Sequence, residues 1–231
     1  MKKMFIILIL ICMLTTLSSC DAFMFERAFA KLSEESFTME GAMRVDLSMS
    51  YMGQTVEQTV VVDLVIQSSP TEVYTESKSN GSVQKSYVKI DNELEQVLVY
   101  SNDGSTWTKE TKTLEEYQAE SDSYFLDIEV KDVFTLEDGV WIGNTETITS
   151  MLEKYIDELG SSLVGTGATL ESFDVEKYNI EMSGSDISKV DIIMNMIMSA
   201  SGIPVTIRMS MPMEVKNVGS TIVTVPEGLP E

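Results

Sequence analysis

Side chains able to react or to hold an ion are scarce in this chain. None of its 231 residues is histidine, and its only cysteines are Cys12 and Cys20. Imidazole proton shuttles, serine-type triads and imidazole metal sites are therefore excluded. Beyond Cys20 no thiol remains, which removes thiolate nucleophiles, thiolate metal sites and internal disulfides from residues 21–231. The chain holds 37 aspartates and glutamates, and paired carboxylates can act as acid and base. No spacing singles out such a pair, so the chain reads as a non-enzyme. Met209, Met211 and Met213 alternate, which places three thioethers on one face of a strand. Soft sulfur ligands select Cu(I), but the same spacing follows from any buried methionine-rich strand. No metal or other cofactor is expected. The thiol of Cys20 is the reactive group that remains.

Cys20 closes the run MKKMFIILILICMLTTLSSC. Two lysines, an apolar core from Met4 to Leu14 and small residues before a cleavage point make a secretory signal. That core is shorter than the roughly 20 apolar residues that span a bilayer. Leu17-Ser18-Ser19-Cys20 resembles a bacterial lipobox, in which the cysteine is lipidated and becomes the first residue of the mature protein. The resemblance implies acylation of Cys20, whereas Cys12 follows the bulky Ile11 and does not fit. Two or more acyl chains hold a protein stably in a leaflet, at about 0.8 kcal/mol per buried methylene. The chain thus divides into a signal peptide, 1–20, and a single domain, 21–231. The domain is expected outside the cytoplasmic membrane, on an N-terminal lipid anchor. Asp21 resembles the signal that retains lipoproteins at the inner membrane of two-membrane bacteria.

The net charge of −21 becomes more negative once Lys2 and Lys3 leave with the signal. Such a surface argues against nucleic acid and against lying flat on anionic lipid. Dispersed carboxylates of this kind form a solvated acidic face that keeps a domain soluble.

The elements that follow have clear periods. Phe25, Ala28, Phe29 and Leu32 recur at helical spacing and predict a helix over 22–35, with almost no linker after Cys20. From Phe37 to Tyr51 the odd positions are apolar or glycine and the even ones mostly polar, which specifies a strand. A turn at Gly53-Gln54 leads to Val56, Val60, Val62, Leu64 and Ile66 in the same alternation. Asn80-Gly81 and Asp103-Gly104 mark further hairpins, giving an antiparallel meander over the first third. Helices are expected over 113–119 and 144–159, ending at Gly160, and a loop over 160–172. A strand near 175–182 comes next, then a helix from an N-cap at Ser185 to Ala200. Residues 203–215 alternate again, with Pro204 and Pro212 hinting at a sheet edge. Residues 218–225 read as a last strand. Trp107 and Trp141 read as core anchors. The fold class is α+β, one long, curved antiparallel sheet with helices packed on one face.

Several features in this order resemble the LolA-like superfamily of bacterial lipoproteins and lipoprotein carriers, including LppX-type and related Gram-positive lipoproteins. They are the first helix, Val73-Tyr74 and Ser86-Tyr87 in the meander, and Trp107 followed by Lys109. After them come the middle helices, Tyr178 with Ser185-Asp186-Ile187, and the Val225-Pro226-Glu227 ending. The resemblance implies an unclosed half-barrel whose concave face is plugged by helices, with a lipid held between sheet and helices. Sixteen methionines accord with it, because methionine repacks around varied apolar partners and equally fills irregular cores. The candidate lining comprises Met39, Met43, Val45, Leu47, Met49, Val62, Leu64, Met194, Ile197, Met198, Met209, Met211 and Met213. The leading expectation is a membrane-anchored, non-enzymatic carrier or receptor for a lipid or other apolar ligand. The alternative is a scaffold lipoprotein with a fully packed core that binds an envelope protein.

Overall fold

The structure is a computed structural model that describes residues 21–117, 133–152, 168–200 and 202–230. Cys20 and the signal segment lie outside these residues, as do the end of the predicted 113–119 helix and the second half of the 144–159 helix. Helix α1 occupies 21–34, a short α2 begins at 114, and α3 runs from 145 to 152 within the described residues. The strands are β1 (Phe37–Tyr51), β2 (Gln54–Ser68), β3 (Glu72–Ser79), β4 (Ser82–Asp91), β5 (Gln96–Asn102) and β6 (Trp107–Thr113). After the crossover come β7 (Phe134–Glu137), β8 (Val140–Gly143), β9 (Ala168–Ser183), β10 (Asp186–Ala200) and β11 (Ile203–Lys216).

All eleven strands form one unclosed antiparallel sheet in the order β6-β5-β4-β3-β2-β1-β11-β10-β9-β8-β7. Each half is a meander, joined by local hairpins except between β8 and β9, whose connection carries α3. Asn80 and Gly81 both take positive φ, 50° and 81°, which fits the tight turn that Asn-Gly favours. The halves meet where β1 pairs with β11, from Thr38↔Lys216 to Met49↔Val205.

One end of one sheet face carries the main core. Phe25 and Ala28 of α1 and Ile148 of α3 bury against Trp141, Val175, Ile180, Ile187, Val190 and Val215. Phe25 stacks on Trp141 at 4.1 Å. Asn144 caps α3, its side-chain oxygen accepting from the Thr147 N–H at 3.0 Å. Thr149 Oγ1 accepts from the Val175 N–H at 2.9 Å and ties that helix to β9. Lys31 pairs with Asp186 at 2.7 Å and ties α1 to the β9–β10 turn.

Five expectations need correction. Residues 186–200 are a strand, not a helix, and hydrogen-bond along both edges to β9 and β11. Alternation is hidden there because Ile193 and Ile197 put apolar groups on the second face, and the register shift at Ile187/Lys189 changes the phase. Ser185 is a hairpin-turn residue rather than an N-cap. Of the expected 160–172 loop, residues 160–167 lie outside the described residues, and from Ala168 the chain is strand, within β9.

The other two corrections concern the chain's end. Pro204 and Pro212 sit in β11, which is central rather than an edge. At Pro212, which lacks an N–H, the ladder to β1 skips from Gly41↔Met213 to Arg44↔Ser210. Gly41 absorbs the close approach, since a Cβ there would lie 2.2 Å from the Pro212 carbonyl oxygen. Residues 218–225 form no strand, because both edges of β11 are already paired and no ladder is open beside it. They cross the opposite face of the sheet as a strap.

Candidate functional site

Directly opposed residues in an antiparallel sheet point to the same face, so the register lays out the inner face row by row. Near α1 and α3 a row reads Ile66, Met39, Val215. The next reads Leu64, Gly41, Met213, Val190, Ile180. Further along come Val60, Val45, Met209, Met194, Val175, and then Val56, Met49, Val205, Met198, Leu170. Val62 opposes Met43, and Met211 opposes Ile192. Leu47 opposes Ile207, which opposes Met196.

The structure therefore brings the candidate lining residues together on one face, with one exception. Ile197 pairs with Thr206 on the opposite face, where it is 37% exposed. A helical stripe would have grouped it with Met194 and Met198; a strand turns it away. Burial is graded along the face. Met213 is 2% exposed and Met39 and Met194 pack against the core, whereas Met43, Val45, Leu47, Met49, Met198, Met209 and Met211 are only half-buried. Toward β3–β5 the same face turns polar, with Thr75, Ser77, Gln84, Ser86 and Ser101 lining a depression of about 340 Å³.

The opposite face holds a second cluster that sequence reasoning did not single out. Tyr74, Tyr87 and Tyr100 are buried side by side on β3, β4 and β5, beneath Val223 and Leu229 of the C-terminal strap. The strap is pinned by Thr221 to Thr38 (2.9 Å between hydroxyls) and by the Thr224 N–H donating to Gln67 Oε1 at 2.8 Å. The available signal was the equal spacing of the three tyrosines across successive hairpins. Trp107 packs against this cluster, unlike Trp141, which is in the main core. Beside it a cleft of about 700 Å³ runs between Tyr74, Glu76, Lys78, Lys85, Trp107 and the strap at Thr224–Glu227.

Glu76 is the most constrained carboxylate there. It accepts hydrogen bonds from the Tyr74 hydroxyl at 2.7 Å and Lys78 Nζ at 2.8 Å, with Lys85 Nζ at 3.3 Å. Led by the Lys78 contact, these partners hold its carboxyl down to about 2 although burial pushes the other way. Burial and then the neighbouring carboxylate push the Tyr74 hydroxyl up. A carboxyl depressed by folding adds stability that is full above its unfolded value of 4.5 and is lost as pH falls through about 2. A Glu76→Gln variant is therefore expected to lose less stability than the parent between pH 4.5 and 2. Denaturant midpoints across that interval check this, and parallel pH profiles would reject it.

Comparisons with known proteins add little to this geometry. No family model matches the chain, and no curated protein matches it. A solved structure to which it is similar is the crystal structure of ywiB protein from Bacillus subtilis. The two are 10% identical over 78% of this chain and 92% of that one, with a TM-score of 0.25, a likeness too slight to carry an argument.

Proposed function

We propose that this chain is a lipoprotein, acylated at Cys20 and anchored outside the cytoplasmic membrane, whose unclosed LolA-like half-barrel binds a lipid or other apolar ligand. It performs no catalysis. The carrying observation is the graded inner face: its apolar rows continue from β9 to β2 well past the end packed by α1 and α3. Met43, Val45, Leu47, Met49, Val62, Leu64, Met198, Met209 and Met211 make the ligand surface, with Met39, Met194 and Met213 at its closed end. Methionine side chains suit an acyl chain because they re-pack at little cost. Apolar burial at about 25 cal/mol per Å² supplies the affinity.

The test is native mass spectrometry with lipid extraction on residues 21–231 purified from cells. A stoichiometric lipid should co-purify and should be lost in the Met43→Arg, Met211→Arg double variant, with far-UV circular dichroism unchanged. A clean apo mass, with no uptake from a lipid panel, would sink the carrier reading. It would favour the scaffold reading, to which the exposed Tyr51, Met52 and Val56 at the β1–β2 hairpin lend support.

A further inference from the structure

Helix α1 does more than plug the sheet. Its inward face carries Phe25, Ala28, Phe29 and Leu32. Phe23 lies two residues before Phe25, roughly 200° around the helix, and so points almost directly away from the sheet. It is 64% exposed, and its neighbour Met24 is 43% exposed. Arg27 lies one turn beyond Phe23 on that outward face and is exposed, with no hydrogen-bond or ion-pair partner among the described residues. An aromatic ring and a free guanidinium four residues apart match the layered chemistry of a membrane interface. The ring suits the acyl boundary, and the guanidinium suits a lipid phosphate.

We propose that this outward strip of α1 is a membrane-contact surface, with Phe23 and Met24 seated at the headgroup–acyl boundary and Arg27 on a phosphate. The proposal rests on the lipidation of Cys20 put forward above. Three residues span at most about 10 Å even when fully extended, so an anchor at Cys20 keeps the Phe23 ring beside the lipid. Headgroup layers are themselves about 5–7 Å deep on each side of the hydrocarbon core, so the reach is sufficient. The acidic domain is repelled by anionic headgroups, and the strip holds its α1 end against that repulsion. The contact would orient the domain. β1 leaves α1 at Phe37 and runs roughly 50 Å to Tyr51 at strand rise, so the half-buried rows of the inner face lie toward the end remote from the anchor.

The test uses the full chain matured in bacteria, in which acylated Cys20 leaves a Met24→Cys substitution as the one free thiol. The thiol is labelled with an environment-sensitive fluorophore. The protein is then placed in phosphatidylcholine–phosphatidylglycerol vesicles, with or without nitroxide-labelled acyl chains. The expected result is a blue-shifted emission, most of it lost with nitroxide lipid and little with aqueous iodide. Phe23→Cys should behave alike, and Gln54→Cys on the far hairpin should show the reverse. A label at position 24 that iodide quenches and nitroxide lipid spares overturns the proposal. Intact mass on the same sample separates the two readings. An unacylated Cys20 overturns the anchor and this contact together, whereas an acylated chain with an aqueous label overturns the contact alone.

Discussion

Phe25→Ala should be the most damaging single truncation, lowering stability by about 3–5 kcal/mol. The ring is fully buried. It stacks on Trp141 with an interplanar angle of 6° and meets Phe134 edge-on at 5.5 Å and Phe29 at 6.3 Å. Aromatic geometry of this kind adds roughly 0.5–1.5 kcal/mol beyond area burial. The ring also joins α1 to Phe134 of β7 and Trp141 of β8, in the far half of the sheet. The Lys31–Asp186 pair, 22% and 41% exposed, is worth at most about 1 kcal/mol and cannot replace it. For a domain of this size the loss corresponds to a fall on the order of 6–20 °C in melting temperature. Trp141 should lose its near-ultraviolet circular dichroism at the same time. A denaturant midpoint within error of the parent, with the tryptophan signal intact, would show that α1 is not held by this ring.

Gly41→Ala should be nearly as costly for a different reason. The added methyl would lie 2.2 Å from the Pro212 carbonyl oxygen, 2.7 Å from Met213 Sδ and 3.1 Å from Met213 Cα. A side chain can swing away, but two of these contacts are backbone. Relief therefore requires opening the β1–β11 seam, and overpacking of this sort costs about 1–3 kcal/mol or more. The double variant Gly41→Ala, Met213→Ala separates the contributions. It removes the sulfur contact and leaves the carbonyl one, so destabilisation by the glycine change should persist in the Met213→Ala background. Full rescue in thermal melts would mean that the sulfur alone sets the limit.

The strands of the first half were legible because one face of each is wet. Phe37–Tyr51 alternates without a break, and its observed limits match the pattern. β10 was not legible because Ile193 and Ile197 make its second face apolar too, while a register shift breaks the phase. MNMIM then fits helix and strand equally, and pairing on both edges decides for strand. Pro212 misled for a related reason. Proline signals an edge only when nothing else relieves the missing donor, and here Gly41, more than 170 residues away in sequence, provides the relief. The lining candidates of β1, β2 and β11 could be grouped from alternation alone, whereas Met194, Met198 and Ile197 were grouped by helical spacing, which held for the first two and failed for Ile197. The tyrosine cluster and its strap could not, since the tail that covers Tyr74, Tyr87 and Tyr100 has no periodicity to announce a partner.

The β1–β11 seam also dictates an order of assembly. Most neighbouring strands within each half are joined by short hairpins, and β8 and β9 by the connection that carries α3, whereas seam contacts such as Lys216 to Glu40 join residues 176 apart in sequence. The entropy of closing so long a loop is repaid only after both meanders exist, so the seam belongs late on the folding route. Interactions made late act on escape from the native state rather than on arrival at it. The strain introduced at Gly41 should accordingly appear as faster unfolding with refolding little changed, and the seam's tightness sets how long the anchored domain keeps its two halves joined.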